Sequence, residues 1–165
     1  MKPRARDIVD AARELLDAEG ADALSMRAIA ERLGIRAPSL YKHVPDKETL
    51  EAALIADGFG EFAERLERAG DSASLARAYR AFARENPHLY RLMTDRPLPR
   101  DRLPPGLEDR AAAPVVAAAG GDADLARALW AFAHGMTILE LTDRFPPEAD
   151  LDAAWRVGLA SFGGR

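Results

Sequence analysis

The sequence predicts an all-α protein, on three observations. Alternation of β-branched with polar residues, the mark of a strand, is absent, while alanine, leucine, arginine and glutamate dominate, all good helix formers. Apolar residues recur at three- and four-residue spacing along most of the 165 residues. Glycines and prolines interrupt that spacing so as to leave about nine helical segments.

The first segment runs from about Arg4 to Glu19. Ile8, Ala11, Ala12 and Leu15 share one face, and Gly20 ends it. Ser25 is placed to cap the second, Met26 to Leu33, and Gly34 follows as a left-handed stop. The third is short, Pro38 to about Val44, with the proline in the first turn where its missing N–H costs nothing. Asp46 caps a fourth that extends to Ala69, roughly 35 Å at 1.5 Å per residue. Leu75, Tyr79 and Phe82 mark a fifth, interrupted by Asn86-Pro87, and Leu89, Leu92 and Met93 a short sixth. "RPLPRDRLPP", 96–105, is a loop. The seventh spans about Gly106 to Ala119, the eighth Asp122 to Arg144 and the ninth Leu151 to Phe162, with Gly120-Gly121 and Pro146-Pro147 between them.

Composition narrows the function classes. With 48% hydrophobic and 30% charged residues the chain can bury a core and is not disordered. It has no cysteine, hence no disulfide framework and no cysteine-based metal site or nucleophile. Nothing has the length of a signal-peptide core, and the longest apolar run, "AAAPVVAAA", falls far short of the ~20 residues a membrane span needs. A cytoplasmic protein without membrane association is expected. The net charge is −4, so overall charge does not announce nucleic acid. Between Ser25 and Lys47, however, Arg27, Arg32, Arg36, Lys42 and Lys47 stand against Glu31 and Asp46, a local net of +3.

That basic island coincides with two helical segments joined by a tight turn. Ala30-x-x-x-Gly34 meets the steric needs of such a turn: a small residue lets the helices approach, and a glycine takes positive φ. Ile29, Leu33, Ile35 and Leu40 are spaced to form a mini-core under the first helix. Arg36, Ser39, Lys42 and the ring edges of Tyr41 and His43 are left to face outward, a positive, hydrogen-bonding surface suited to a DNA major groove. Lys47 and the first N–H groups of the fourth helix would point at a phosphate, and Arg4 and Arg6 would form a minor-groove arm.

Read whole, "SMRAIAERLGIRAPSLYKHVPDKETL" resembles the signature of TetR-type bacterial transcriptional regulators. Ser25 stands at the leading Ser/Thr. Ile29, Ala30, Gly34, Ser39, Leu40, Tyr41, His43, Lys47 and Leu50 match in turn, while Arg36 replaces a small hydroxyl residue and Val44 a phenylalanine. The resemblance covers residues 4–50. It implies that residues 1–48 form a helix-turn-helix DNA-binding domain. In that domain Tyr41 and Lys47 hold phosphates, Arg36, Ser39 and Lys42 touch bases or phosphates, and Ser25 and Arg27 touch the backbone. His43 braces the helix, bonds a phosphate or reads a base, and Ala37 and Pro38 offer apolar surface to a thymine methyl.

Residues 49–165 are then expected to bind an effector and a second copy of the chain. Phe59, Phe62, Tyr79, Phe82, Tyr90, Met93 and Trp130 supply apolar walls, and His134 and Thr137 sparse polar groups, as small-molecule sites require. In the eighth helix Leu125, Leu129, Phe132 and Met136 form one stripe, and Trp130, His134, Thr137 and Leu141 another. A helix apolar on two sides is buried on two sides, so the helices at about 122–145 and 151–162 are expected to pair across a two-fold axis. "WAFAHGMTILEL" and "ENPHLYRLM" resemble the Trp-x-x-x-His-Gly subclass of TetR C-terminal domains.

The expected function is a dimeric repressor that binds a palindromic operator and is released by a small, largely apolar effector, with no cofactor. Two alternatives differ in class. A small helical enzyme finds no support, because no paired carboxylates, metal ligands or nucleophile–base set is present, and His134 has no second ligand at helical spacing. A helical small-molecule-binding or accessory protein that no longer binds DNA would carry the same core. Gly58 and Gly60, inside the fourth helix, read either as close packing or as a soft point through which effector binding tilts that helix.

Overall fold

The structure is a computed structural model and describes residues 4–162. Those residues form eight α-helices and no strand: α1 (Ala5–Glu19), α2 (Met26–Arg32), α3 (Lys47–Glu67), α4 (Ser72–Glu85), α5 (Pro87–Thr94), α6 (Leu107–Ala118), α7 (Ala123–Leu141) and α8 (Leu151–Ala160). None of the helices is long and apolar enough to cross a membrane. The chain divides into two compact units, one of residues up to 60 with 86–107, the other of 61–85 with 108 onward.

One expected helix is absent. Between Pro38 and Val44 the chain makes a single 3-10 turn, Ala37–Ser39, and then successive turns to His43. The cause is local. Arg36 holds the cap position in extended conformation (φ −83°, ψ 137°), and its side chain accepts no hydrogen bond there. Pro38 contributes no N–H. Ser39 N–H and Leu40 N–H therefore reach back three residues, to the Arg36 and Ala37 carbonyls at 2.8 and 3.0 Å.

In the first unit α1 packs on α2 and α5. Ile8, Ala12, Leu16, Leu24, Ile29, Leu40, Leu50 and Leu54 make its core and are almost fully buried. α2 begins at Ser25, whose Oγ accepts the Ala28 N–H at 3.1 Å. It ends in a Schellman turn: Gly34, at φ +65°, donates to the Glu31 carbonyl at 3.1 Å, and Ile35 to that of Ala30 at 2.9 Å. α5 closes the unit from the other side. Arg13 Nη2 donates to Asn86 Oδ1 at 2.8 Å, and a methyl group added at Gly58 would lie 2.7 Å from Met93 Sδ and 3.1 Å from both Leu89 methyls. Gly58 is thus a close-packing glycine. Gly60 has nothing within 4 Å of such a methyl.

The second unit is a bundle in which α4 packs on α7 and α8, and α7 on α8. Phe62 meets Tyr79 and Phe82 edge-on, each at 5.1 Å between ring centres. α7 turns Ala126, Leu129, Ala133 and Thr137 inward, a line of small residues beside one leucine, while Trp130 is 51% exposed. Phe132 lies directly on Gly158 and edge-on to Trp155, which fixes α8 against α7.

A polar knot ties three of these helices together. Arg80 of α4 donates through Nε to Glu140 Oε2 of α7 at 2.8 Å and through Nη1 to Asp152 of α8 at 2.5 Å. Trp155 Nε1 donates to the other Glu140 oxygen at 2.6 Å. Burial works against the Arg80 charge, but the bonds to Asp152 and Glu140 outweigh it and hold its pKa above the usual value. The Glu140 side chain is 7% exposed and that of Asp152 75%, so the inner pair carries the energy. Arg80→Ala strands the Glu140 carboxylate and is expected to lower unfolding free energy by about 2 kcal/mol. Asp152→Ala should change little; urea unfolding of both variants checks the asymmetry.

α3 allows a second test. Gly60→Ala is expected to stabilise by about 0.5–1 kcal/mol through helix propensity alone. Gly58→Ala should destabilise by about 1–2 kcal/mol because Met93 and Leu89 must give way. Thermal unfolding of the two variants should give shifts of opposite sign.

Candidate nucleic-acid interface

The turn at Gly34 and the buried side chains Leu40 (0% exposed) and Val44 (4%) hold the segment between them. Anchored at those points, it turns everything else outward. Arg36, Pro38, Ser39, Tyr41, Lys42 and His43 are exposed and Ala37 is half-buried. Tyr41, 51% exposed, is a large ring with no fold-level reason to face solvent. Two cations, two hydroxyls and an imidazole thus project from a stretch of eight residues. That donor-rich set suits phosphate oxygens and purine edges.

The remaining sequence-derived candidates lie around it within the same unit. Ser25 is spent as the α2 cap, with its exposed side chain at the start of that helix. Arg27 pairs with Glu31 one turn on, at 2.8 Å. Arg4 is exposed at the start of α1. Arg6, expected beside it as a flexible arm, lies inside α1 and pairs with Asp10 at 2.7 Å and Asp57 at 2.9 Å. Those two charges, Asp57 first, raise its pKa. Lys47 Nζ stands 3.4 Å from Glu51 Oε1.

Asp46 caps α3, accepting the Thr49 N–H at 2.6 Å. That bond, a second from the Thr49 side chain and the neighbouring Arg102 guanidinium hold its carboxyl below the usual carboxylate range. A lowered folded-state pKa means that the cap contributes fully above the ordinary aspartate value. The contribution fades as pH falls through the depressed one. Wild type is therefore expected to lose stability on acidification more steeply than Asp46→Ala does; parallel acid-unfolding curves would refute the assignment.

Two functional candidates escaped sequence reasoning. Arg102 and Arg96 lie in the proline-rich loop that reads only as a connector. Arg102 bonds to Asp46, Glu48 and Thr49, and Arg96 Nη1 is 3.6 Å from Glu51 Oε1. The available signal was three arginines, at 96, 100 and 102, set among four prolines.

The structure distributes the expected effector residues over both units. Phe59, Tyr90 and Met93 belong to the first; Phe62, Tyr79, Phe82, Trp130, His134 and Thr137 belong to the second. In the second unit a shallow cleft enclosing about 20 Å³, open to solvent, brings together Tyr79 and Trp130 with Leu75, Val115, Leu129 and Leu159. Phe62 and Phe82 stack behind Tyr79 as core, and His134 pairs with the Trp130 ring at 6.1 Å. Thr137 is fully buried, and its Oγ1 has no hydrogen-bond partner. Among the described residues no group of three or more His, Asp or Glu side chains could hold a metal ion.

Comparison with known proteins covers both units. The family model described as bacterial regulatory proteins, tetR family, matches residues 8–54, and that of the tetracyclin repressor-like C-terminal domain matches 72–162. An uncharacterised HTH-type transcriptional regulator of Mycobacterium tuberculosis is 37% identical over 150 residues, 82% of this chain and 69% of that protein. One of Bacillus subtilis is 43% identical over 90 residues, 50% of this chain and 47% of that protein. The chain thus spans about half the length of some of its curated relatives. Both relatives are named as regulators of transcription, not as enzymes. Among solved structures, the regulatory protein SCO4313 superposes with a TM-score of 0.78 at 29% identity, covering 96% of this chain and 94% of that one. A TetR variant of Acinetobacter baumannii in complex with minocycline gives 0.63 at 25% identity, covering 94% and 91%.

Proposed function

The chain belongs to the TetR family of bacterial regulatory proteins, and from that premise we propose that it is a cytoplasmic transcriptional repressor. It binds a palindromic operator as a homodimer and leaves it when a small, largely apolar effector binds. The observation that carries the reading is the outward cluster Arg36, Ser39, Tyr41, Lys42 and His43, presented on a segment whose only buried side chains serve to anchor it. In this reading residues 1–48 engage DNA. Tyr41, Lys42 and Lys47 take phosphates, and Arg36, Ser39 and His43 are within reach of base edges. Ser25, Arg27 and Arg4 flank the contact, and Ala37 and Pro38 meet thymine methyl groups.

Residues 49–165 carry the effector and the partner subunit. The cleft beside Tyr79 and Trp130 is mostly apolar but encloses only about 20 Å³, far below the ~300–1,000 Å³ of small-molecule sites, so it has to open to admit an effector. Pairing through the helices at about 122–145 and 151–162 is supported by apolar surface at Leu139 and Val157, 41% and 70% exposed. The TetR variant bound to minocycline is a neighbour of the same fold that holds a small molecule.

The test is capture of sheared genomic DNA from the source organism by the purified protein at about 0.15 M salt, followed by sequencing. Enrichment of one or a few palindromic sites is expected. Flat recovery, unchanged by added metabolite extract, would favour the accessory-protein alternative. On a site so obtained, Lys42→Ala and Lys47→Ala should each reduce the slope of log affinity against log salt by about 0.9. Unchanged slopes in both would remove these two residues from the contact.

A further inference from the structure

The charges at the start of α3 do not by themselves favour DNA. Asp46 and Glu48 flank Lys47 in sequence there, soon after the exposed segment 36–43, and Glu51 Oε1 lies 3.4 Å from its Nζ. A phosphate approaching that turn would meet the exposed carboxylates of Asp46 and Glu48 beside one ammonium, with Glu51 largely buried behind them. At such separations the unfavourable charges act on a polyanion even through water.

The proline-rich loop supplies the missing cations. Arg102 Nη1 donates to Asp46 Oδ1 at 3.1 Å and to Thr49 Oγ1 at 3.0 Å, and Nη2 donates to Glu48 Oε2 at 2.8 Å. Arg96 from the same loop faces Glu51 from the side opposite in sequence to Lys47: their nitrogens lie 3.6 and 3.4 Å from the same buried oxygen. Each carboxylate at the start of α3 thus has a loop arginine against it. The 3-10 turn Arg100–Arg102, between Pro99 and Pro104, limits the conformations the loop can take and sets Arg102 in place. Stability does not explain the Glu48 contact, because the Glu48 side chain is 76% exposed and an exposed pair contributes little. An effect on the field that an incoming polyanion meets does explain it.

We propose that Arg102 is a positioning residue for DNA binding: it offsets the charges of Asp46 and Glu48 and fixes the first turn of α3, so that Lys47 and the segment 36–43 meet the phosphate backbone as a net positive surface. Arg102 acts through those groups rather than as a phosphate contact, with three of its five guanidinium N–H donors already directed at them. The proposal rests on the DNA-binding reading given above.

The test is a double-mutant cycle on the full chain. The probe is a mixed-sequence DNA duplex of about 30 base pairs at low salt, where sequence-independent binding is measurable. Thermal unfolding is recorded alongside. Arg102→Ala is expected to weaken binding about three- to tenfold with little change in melting temperature. Glu48→Ala alone should change it less than about twofold, and the double variant should recover at least half of the lost affinity, because the charge to be offset has gone. Wild-type affinity in Arg102→Ala would overturn the proposal. So would a double variant as weak as Arg102→Ala, which marks a direct contact or a purely structural role. Arg102→Lys keeps the charge and substitutes if the alanine variant fails to fold; it should bind within about threefold of wild type, and a larger loss overturns charge compensation. Failure of wild type itself to bind the duplex would instead overturn the DNA-binding reading, and this inference with it.

Discussion

The structure depends on how a segment of eight residues, six of them exposed, is held without a helix of its own. A helix as short as the segment from Arg36 to His43 does not sustain itself, because nucleation costs more than a few backbone bonds return. Here the backbone makes only 3-10 and turn hydrogen bonds, and two side chains, Leu40 and Val44, reach the core. Order comes instead from both ends. The Schellman turn at Gly34 fixes the angle at which the chain leaves α2, and the Asp46 cap fixes its entry into α3. Everything between is positioned by those constraints and by Leu40 in the core that Ile8, Ala12 and Leu16 of α1 complete.

Electrostatics follows the same local logic. A chain with a net charge of −4 gains nothing from its overall field when it approaches a polyanion. It relies on where each charge is neutralised. Several cations near the candidate interface are already paired, Arg6 with Asp10 and Asp57 and Arg27 with Glu31, whereas the acids at the start of α3 are covered by arginines from a loop about fifty residues away in sequence. Counting charges along the sequence between Ser25 and Lys47 gives the right sign for that surface and misses which of its members are committed.

Much of this was legible before any coordinates. Eight of the nine expected helices appear close to where they are predicted, because their boundaries rest on glycine, proline and cap residues whose effect is local. The third forms no α-helix because a proline at a first turn does not suffice where the cap residue, Arg36, supplies no capping bond. In α7 the apolar stripes mark the large residues, while the side buried within the unit is Ala126, Leu129, Ala133 and Thr137, and Trp130 faces out. Gly58 reads from sequence as a packing glycine or a soft point, and its distances to Met93 and Leu89 support the packing role. The family resemblance came from a motif dense in one stretch, while Arg102 and Arg96 lay outside every periodic pattern and needed tertiary contacts to be seen.

The most direct measurement is amide chemical-shift mapping of the isotopically labelled chain titrated with duplex DNA at low salt. The account predicts that perturbations concentrate on Ser25 to Arg27 and on Arg36 to Lys47, with α7 and α8 unaffected by direct contact. Perturbations confined to α7 and α8, or none while the duplex is bound, would contradict it: the exposed segment would then be a surface loop, and the anchoring turn at Gly34 a feature of folding alone.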